Sequence, residues 1–259
     1  MTFLRLSVCA LFLLQAAVSE AGSISPFAFF KNSLRRTSTA SESDHVVRFV
    51  KGCTAFFVKN SLGKTYLMTA RHCAKMSIYG WCKAGGKFID ENSKEGKCQR
   101  VVASDDSHDI ALVEATFPYT PSTSQPLSLA AYSPKKMQKL VMIGYPADAY
   151  RKGYATTTDR CWITEEDVAS PHPITMSDRS AKHNCTTYGG NSGGPMIAEG
   201  TSIAVGLPFT YYPDNYTSYD EKDVTNHAIM AKMSDFVASH RATLLAAGVD
   251  IVDTDPGNP

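Results

Sequence analysis

From Val46 onward the apolar positions fall in short runs broken by Gly, Asn, Ser and Pro: Val46 to Val50, Cys53 to Val58, Thr65 to Thr69, Val101 to Ala103, Ile110 to Ala115 and Leu140 to Ile143. Short runs of this kind, rich in β-branched and aromatic residues, predict an all-β sandwich or barrel. Asn60-Ser61-Leu62-Gly63-Lys64 lies between two runs and predicts a hairpin loop. Pro121, Pro126 and Pro134 mark Pro118 to Lys136 as the connection between two halves, one over residues 45–128 and one over 129–233. Ala228 to Met233 reads as a further strand. Ser234 is then placed to cap a helix that turns Phe236, Val237, His240 and Leu244 to one face, with Gly248 at its C-terminal end. Residues 234–259 are thus a C-terminal helix and tail.

The beginning of the chain follows a different pattern. Arg5 precedes an apolar run from Leu6 to Val18, followed by Ser19-Glu20-Ala21. Residues 1–21 therefore read as a secretory signal peptide, cleaved after Ala21 or after Ser19, and the mature protein is expected outside the cell or in the periplasm. Residues 22–44 are rich in Ser and Thr and carry the pair Arg35-Arg36. They suit a propeptide, a flexible arm or a strap laid across the body, and the sequence does not choose among these.

Composition narrows the partners. The 259 residues carry a formal net charge of +1 without a dense basic cluster, which argues against a nucleic-acid binder. No stretch after the signal approaches the roughly 20 apolar residues of a membrane span. Cys9 leaves with the signal, and the remaining Cys53, Cys73, Cys82, Cys98, Cys161 and Cys185 are an even set in an exported chain, so three disulfides are expected. Fifteen pairings are possible, and spacing suggests Cys53 with Cys73, Cys82 with Cys98, and Cys161 with Cys185. The rival use of cysteines, a zinc site, lacks a close Cys-x-x-Cys or His-x-x-x-His pair, and neither a metal nor another cofactor is expected.

Three segments carry candidate chemistry. Tyr188-Gly189-Gly190-Asn191-Ser192-Gly193-Gly194-Pro195-Met196-Ile197 holds a serine among glycines just before an apolar run. A nucleophilic serine needs a tight, uncrowded turn with backbone N–H groups aimed at the oxygen that becomes negative in acyl transfer, and glycines permit that backbone. Tyr66-Leu67-Met68-Thr69-Ala70-Arg71-His72-Cys73 is a strand that stops at a histidine beside a cysteine. A serine hydroxyl is a poor nucleophile at neutral pH and needs such an imidazole to take its proton and return it to the leaving amine. In Ser107-His108-Asp109-Ile110-Ala111-Leu112-Val113 an acid stands at a strand start, where it can hold the imidazole N–H. Singly each has a plainer reading, as a glycine turn, a structural histidine and a strand-capping aspartate. Together, in the order His, Asp, Ser, they point to a serine hydrolase.

Thr69-Ala70-Arg71-His72-Cys73, Asp109-Ile110-Ala111-Leu112 and Gly190-Asn191-Ser192-Gly193-Gly194-Pro195 resemble the three signature blocks of the chymotrypsin-like serine proteases. The resemblance runs from about Val46 to the helix after Ser234. It implies two antiparallel β-barrels with the active site between them, a His72, Asp109 and Ser192 triad, and an oxyanion hole from the N–H groups of Gly190 and Ser192. It also implies that Cys53 and Cys73 brace the histidine loop. The substrate would be a protein or peptide, and a monomer is expected.

Departures from the trypsin branch refine the expectation. Asn191 stands where zymogen-activated members carry an aspartate that pairs with a freed N-terminal amine, so that switch is not expected. Ile143-Gly144-Tyr145-Pro146 and the run from Thr186 to Ser192 look closer to the bacterial branch that includes glutamyl endopeptidases. Thr186 occupies the position where trypsin-like enzymes place an aspartate, which disfavours cleavage after Lys or Arg. Thr187 resembles a residue that binds the substrate carboxylate in glutamyl-specific relatives, and Thr186, Thr187 and Tyr188 are the expected substrate-binding residues. Ile203 to Phe209, however, lacks the histidine those relatives place there, so glutamyl and neutral or apolar preferences both stay open. Two other classes compete: a binding module on the same fold, which an intact triad argues against, and an esterase with a strand-turn-helix elbow, which would place its acid and histidine after the serine.

Overall fold

The computed structural model describes residues 35–49, 52–74, 77–90, 92–118, 125–146, 154–168, 180–187, 189–210 and 228–257. The signal-peptide reading of residues 1–21 lies outside them. Strand β1 (Arg35–Thr37) and one helical turn, α1 (Ala40–Ser43), lead into a closed barrel. Its strands are β2 (Val46–Phe49), β3 (Cys53–Val58), β4 (Tyr66–Ala70), β5 (Lys87–Ile89), β6 (Glu95–Asp105) and β7 (Ile110–Thr116). They pair antiparallel in the order β2, β3, β4, β7, β6, β5, and β5 returns to β2.

A short strand, β8 (Ser128–Ala130), follows, and then the second barrel: β9 (Lys139–Gly144), β10 (Thr156–Val168), β11 (Ser180–His183), β12 (Met196–Ala198), β13 (Ile203–Thr210) and β14 (Ala228–Lys232). The ring order is β9, β10, β11, β14, β13, β12, closing on β9. Helix α3 (Met233–Ala246) and strand β15 (Ile251–Val252) end the fold, with β15 parallel to β8 and β8 parallel to β13. The fold is chymotrypsin-like, as the resemblance implied.

Alternation along the strands sorts the core. On β3, Cys53, Ala55 and Phe57 point into the first barrel, while Phe56 and Val58 join a second cluster with Ile143, Tyr145, Leu207 and Phe236 of the other half. On β7 the same period of two sends Ala111, Val113 and Ala115 inward and Ile110 and Leu112 to the shared cluster. Both faces of these strands are buried. That is why they read as continuous apolar runs rather than as alternation.

Several elements differ from the sequence expectation. Strand β6 spans 95–105 where only Val101 to Ala103 was apolar enough to read, because its polar outer face breaks the run. A helix, α2 (Ile78–Lys83), was not expected, since Gly80 and two aromatics are weak helix formers. Tertiary contacts override propensity there: Trp81 stacks on Phe49 at 4.4 Å and meets Phe88 edge-on at 5.2 Å, while Cys82 is disulfide-bonded to Cys98. The proline-rich connection contains β8. Ser234 is not the cap of α3: the cap position is Lys232, and Ser234 is buried within the first turn. Gly248, at φ +67°, takes the C-terminal place expected of it.

Residues 35–38 lie against the second barrel. Strand β1 pairs with Thr156 to Thr158 of β10, and Ser38 N–H donates to the Ala155 carbonyl at 3.1 Å. Thr39 and Glu42 form a reciprocal capping box on α1. Arg36 donates to both Glu42 oxygens and to Asp159, and chiefly through the Arg36 bond the Glu42 carboxyl is held down to about 2.

Candidate active site

The register of β4 against β7 pairs Ala70 with Ile110, which brings the residues just beyond β4 next to those just before β7. Beyond β4 the chain tightens into a 3-10 turn over Arg71–Ala74, whose first N–H donates to the Asp109 carbonyl at 2.9 Å. His72 projects from this turn. Asp109 adopts φ +54°, a left-handed conformation that aspartate tolerates better than most residues. Its carboxylate thereby meets His72 twice: Oδ1 accepts the His72 backbone N–H at 2.8 Å, and Oδ2 bonds ring Nδ1. A carboxylate at Nδ1 selects the tautomer that carries its proton there, and leaves Nε2 as a base. Asp109 is largely shielded, while the His72 side chain it anchors is 41% exposed.

Ser192 comes from the segment between β11 and β12. The Cys53–Cys73 disulfide touches both the imidazole and the serine backbone: Cys73 Sγ lies 3.8 Å from His72 Nε2 and 3.8 Å from the Ser192 carbonyl oxygen. Three successive carbonyls of the serine loop are pinned. That of Gly190 accepts the Thr54 hydroxyl at 2.8 Å, that of Asn191 accepts Gly194 N–H at 2.8 Å, and that of Ser192 accepts Thr54 N–H at 2.9 Å. In a planar trans peptide the N–H points opposite to the C=O, so the N–H of Ser192 is turned away from the pinned side. Gly190 has φ +102°, a backbone open to glycine. Asn191 is fully buried and packs on Gly144, where an added Cβ would stand 2.8 Å from its Oδ1.

The remaining expected residues lie alongside. Thr186 and Thr187 are buried, and the Thr186 carbonyl accepts the Thr158 hydroxyl at 3.2 Å; Tyr188 lies outside the described residues. Disulfides join Cys53 to Cys73, Cys82 to Cys98 and Cys161 to Cys185, the pairings that spacing suggested. The last of these ties the start of the serine segment to β10. Cys53, His72 and Cys73 bring metal-ligating atom types together, yet both sulfurs are spent in their disulfide and offer no thiolate. Sequence reading missed Thr54, which carries most of the carbonyl pins. The available signal was a polar residue in the otherwise apolar run from Cys53 to Val58.

Leading into this segment, His183 is fully buried, and its Nδ1 accepts the Cys185 N–H at 3.2 Å. Burial pushes the imidazole down from 6.5 to about 4. The unfolded chain then binds a proton that the folded chain does not, so stability is full above about pH 6.5 and falls as pH drops toward 4. Thermal unfolding over that range should show a falling Tm, with a shallower slope in His183→Gln; equal slopes would refute the assignment.

Comparisons with known proteins agree with the fold. The chain resembles the active form of the Rv3671c protease from M. tuberculosis, with 21% identity, TM-score 0.53, and coverage of 85% of this chain and 86% of that one. It also resembles a scabies mite inactivated protease paralogue (15% identity, TM-score 0.59, 82% and 98% covered). The HtrA-type protease AlgW solved with a decapeptide is matched over 76% of this chain and 52% of its own length (14% identity, TM-score 0.53). No curated protein matches the chain in sequence. The family model for the trypsin-like peptidase domain matches residues 53–207, from the strand that starts at Cys53 to Leu207 beyond the serine loop, and the chain belongs to that family.

Proposed function

We propose that the protein is a secreted serine endopeptidase that cleaves peptide bonds through an acyl-enzyme on Ser192. The observation that carries this reading is the pair of hydrogen bonds that the Asp109 carboxylate accepts from His72, one from the ring and one from the backbone, beside the sulfur that also contacts the Ser192 backbone. His72 Nε2 takes the Ser192 proton as Oγ attacks the scissile carbonyl, and delivers it to the leaving amine. Asp109 stabilises the imidazolium formed in between. The N–H groups of Gly190 and Ser192 receive the oxyanion. A water molecule, activated by the same imidazole, then hydrolyses the ester.

Thr186 and Thr187 offer hydroxyls and no charge to the side chain before the scissile bond. This favours a neutral or acidic residue there over Lys or Arg. Export rests on the leader-like residues 1–21 and on the disulfides, which persist in oxidising compartments.

The fold alone does not carry activity, since one of the structures it resembles is described as an inactivated protease. The deciding experiment is labelling of the exported protein with a fluorophosphonate probe, beside Ser192→Ala and His72→Ala. Labelling of the wild type that disappears in both variants is the expected result. A correctly folded, disulfide-intact wild type that does not label would instead favour a binding module.

A further inference from the structure

We infer that Thr54, on the barrel opposite the serine loop, is a positioning residue that holds the loop's peptide groups in their working orientation. The inference rests on the reading of Ser192 as nucleophile and adds to it the part that sets its geometry. Thr54 is fully buried, and all of its polar groups are engaged at the boundary between the two barrels. Its N–H donates to the Ser192 carbonyl at 2.9 Å and its hydroxyl to the Gly190 carbonyl at 2.8 Å. The hydroxyl accepts Tyr145 N–H at 2.9 Å, which leaves its single proton for Gly190 and so fixes the direction of that bond. The Thr54 carbonyl accepts the Thr69 hydroxyl at 2.8 Å, three residues before His72. One side chain and its backbone thus link the strand that ends at the histidine to the loop that carries the serine.

Packing supports the same role independently. Gly144, Gly193 and Gly194 surround Thr54: a Cβ on Gly193 would collide with its carbonyl oxygen and one on Gly144 would stand 3.1 Å from Oγ1, while one on Gly194 would reach ordinary contact with Cγ2 at 3.4 Å. A residue packed this closely, with its hydroxyl rotor fixed, transmits any shift directly to the Gly190–Asn191 and Ser192–Gly193 peptides, which flank the one carrying the Ser192 N–H. Valine has the shape of threonine but cannot donate, so it leaves a buried Gly190 carbonyl unpaired. That peptide can then regain a partner only by turning. Small misplacements of reacting groups cost about 10²-fold in rate.

The test compares Thr54→Val and Thr54→Ser with the wild type in peptide hydrolysis. Thr54→Val should lower kcat by about 10²-fold with KM near the wild-type value, and Thr54→Ser should recover most of the loss. A valine variant with wild-type kcat, or a serine variant as slow as valine, overturns the inference. The same substitutions in a Ser192→Ala chain are read by amide hydrogen exchange over residues 189–194, which needs no activity. Exchange faster by about tenfold in Thr54→Val and near wild type in Thr54→Ser supports the clamp, and unchanged exchange overturns it. Failure of the wild type to label or hydrolyse overturns the peptidase reading separately, because exchange still decides the clamp. Should Thr54→Val fail to fold, Thr54→Ala removes the hydroxyl without straining the glycine cradle and carries the same expectations.

Discussion

Replacing Asp109 by asparagine is expected to lower kcat for peptide hydrolysis by about 10⁴-fold, without loss of the fold. The direction follows from the two bonds that Asp109 makes. His72 backbone N–H needs an oxygen, and it finds Oδ1 at 2.8 Å. An asparagine side chain meets that demand by placing its carbonyl oxygen there, which points its NH₂ at ring Nδ1. Nδ1 must then accept, the ring proton moves to Nε2, and the imidazole can no longer take the Ser192 proton. Fluorophosphonate labelling should slow in parallel, while Tm stays within a few degrees of the wild type. A kcat within tenfold of the wild type would exclude Asp109 as the group that sets the tautomer.

Gly193→Ala should be the most disruptive single-methyl change in the loop. Gly193 sits at φ +81°, where a side chain costs about 1–2 kcal/mol. Its Cβ would stand within 2.5 Å of Ala70 N and Thr69 Oγ1 and closer still to the Thr54 carbonyl. Two of those three atoms are backbone in strands of the first barrel, so they cannot swing aside. Forced overpacking adds about 1–3 kcal/mol. A total near 3 kcal/mol corresponds to a fall in Tm of roughly 10 °C for a domain of this size, together with loss of labelling. A Tm within 2 °C of the wild type would mean that the loop is not held against β3 and β4 as described.

Both effects depend on contacts between segments far apart in the chain, and this marks the limit of what could be read in advance. The apolar runs located β2, β3, β4, β7, β9 and β14 to within a residue or so, because strands buried on both faces leave uninterrupted hydrophobic sequence. Strand β6 was found only in part and α2 was missed, since polar outward residues in one and Gly80 in the other mask elements that neighbours stabilise. Serine suits either side of a helix start, and the end of β14 at Lys232 decides that Ser234 falls inside α3 rather than at its cap.

For the site, the sequence by itself determined the residue types and their local settings: a serine among glycines, a histidine ending a strand beside a cysteine, an aspartate opening another. These are properties of a few adjacent residues, set by what each backbone conformation and each chemical step permits. The family resemblance carried the barrels, and spacing suggested the disulfide pairs. Only the tertiary structure decided that Asp109 holds His72 by ring and backbone together, and that Thr54 of one barrel pins the carbonyls of the other's serine loop. The reason is physical: hydrogen bonds across barrels depend on register, twist and a left-handed Asp109, and none of these is written in any single segment.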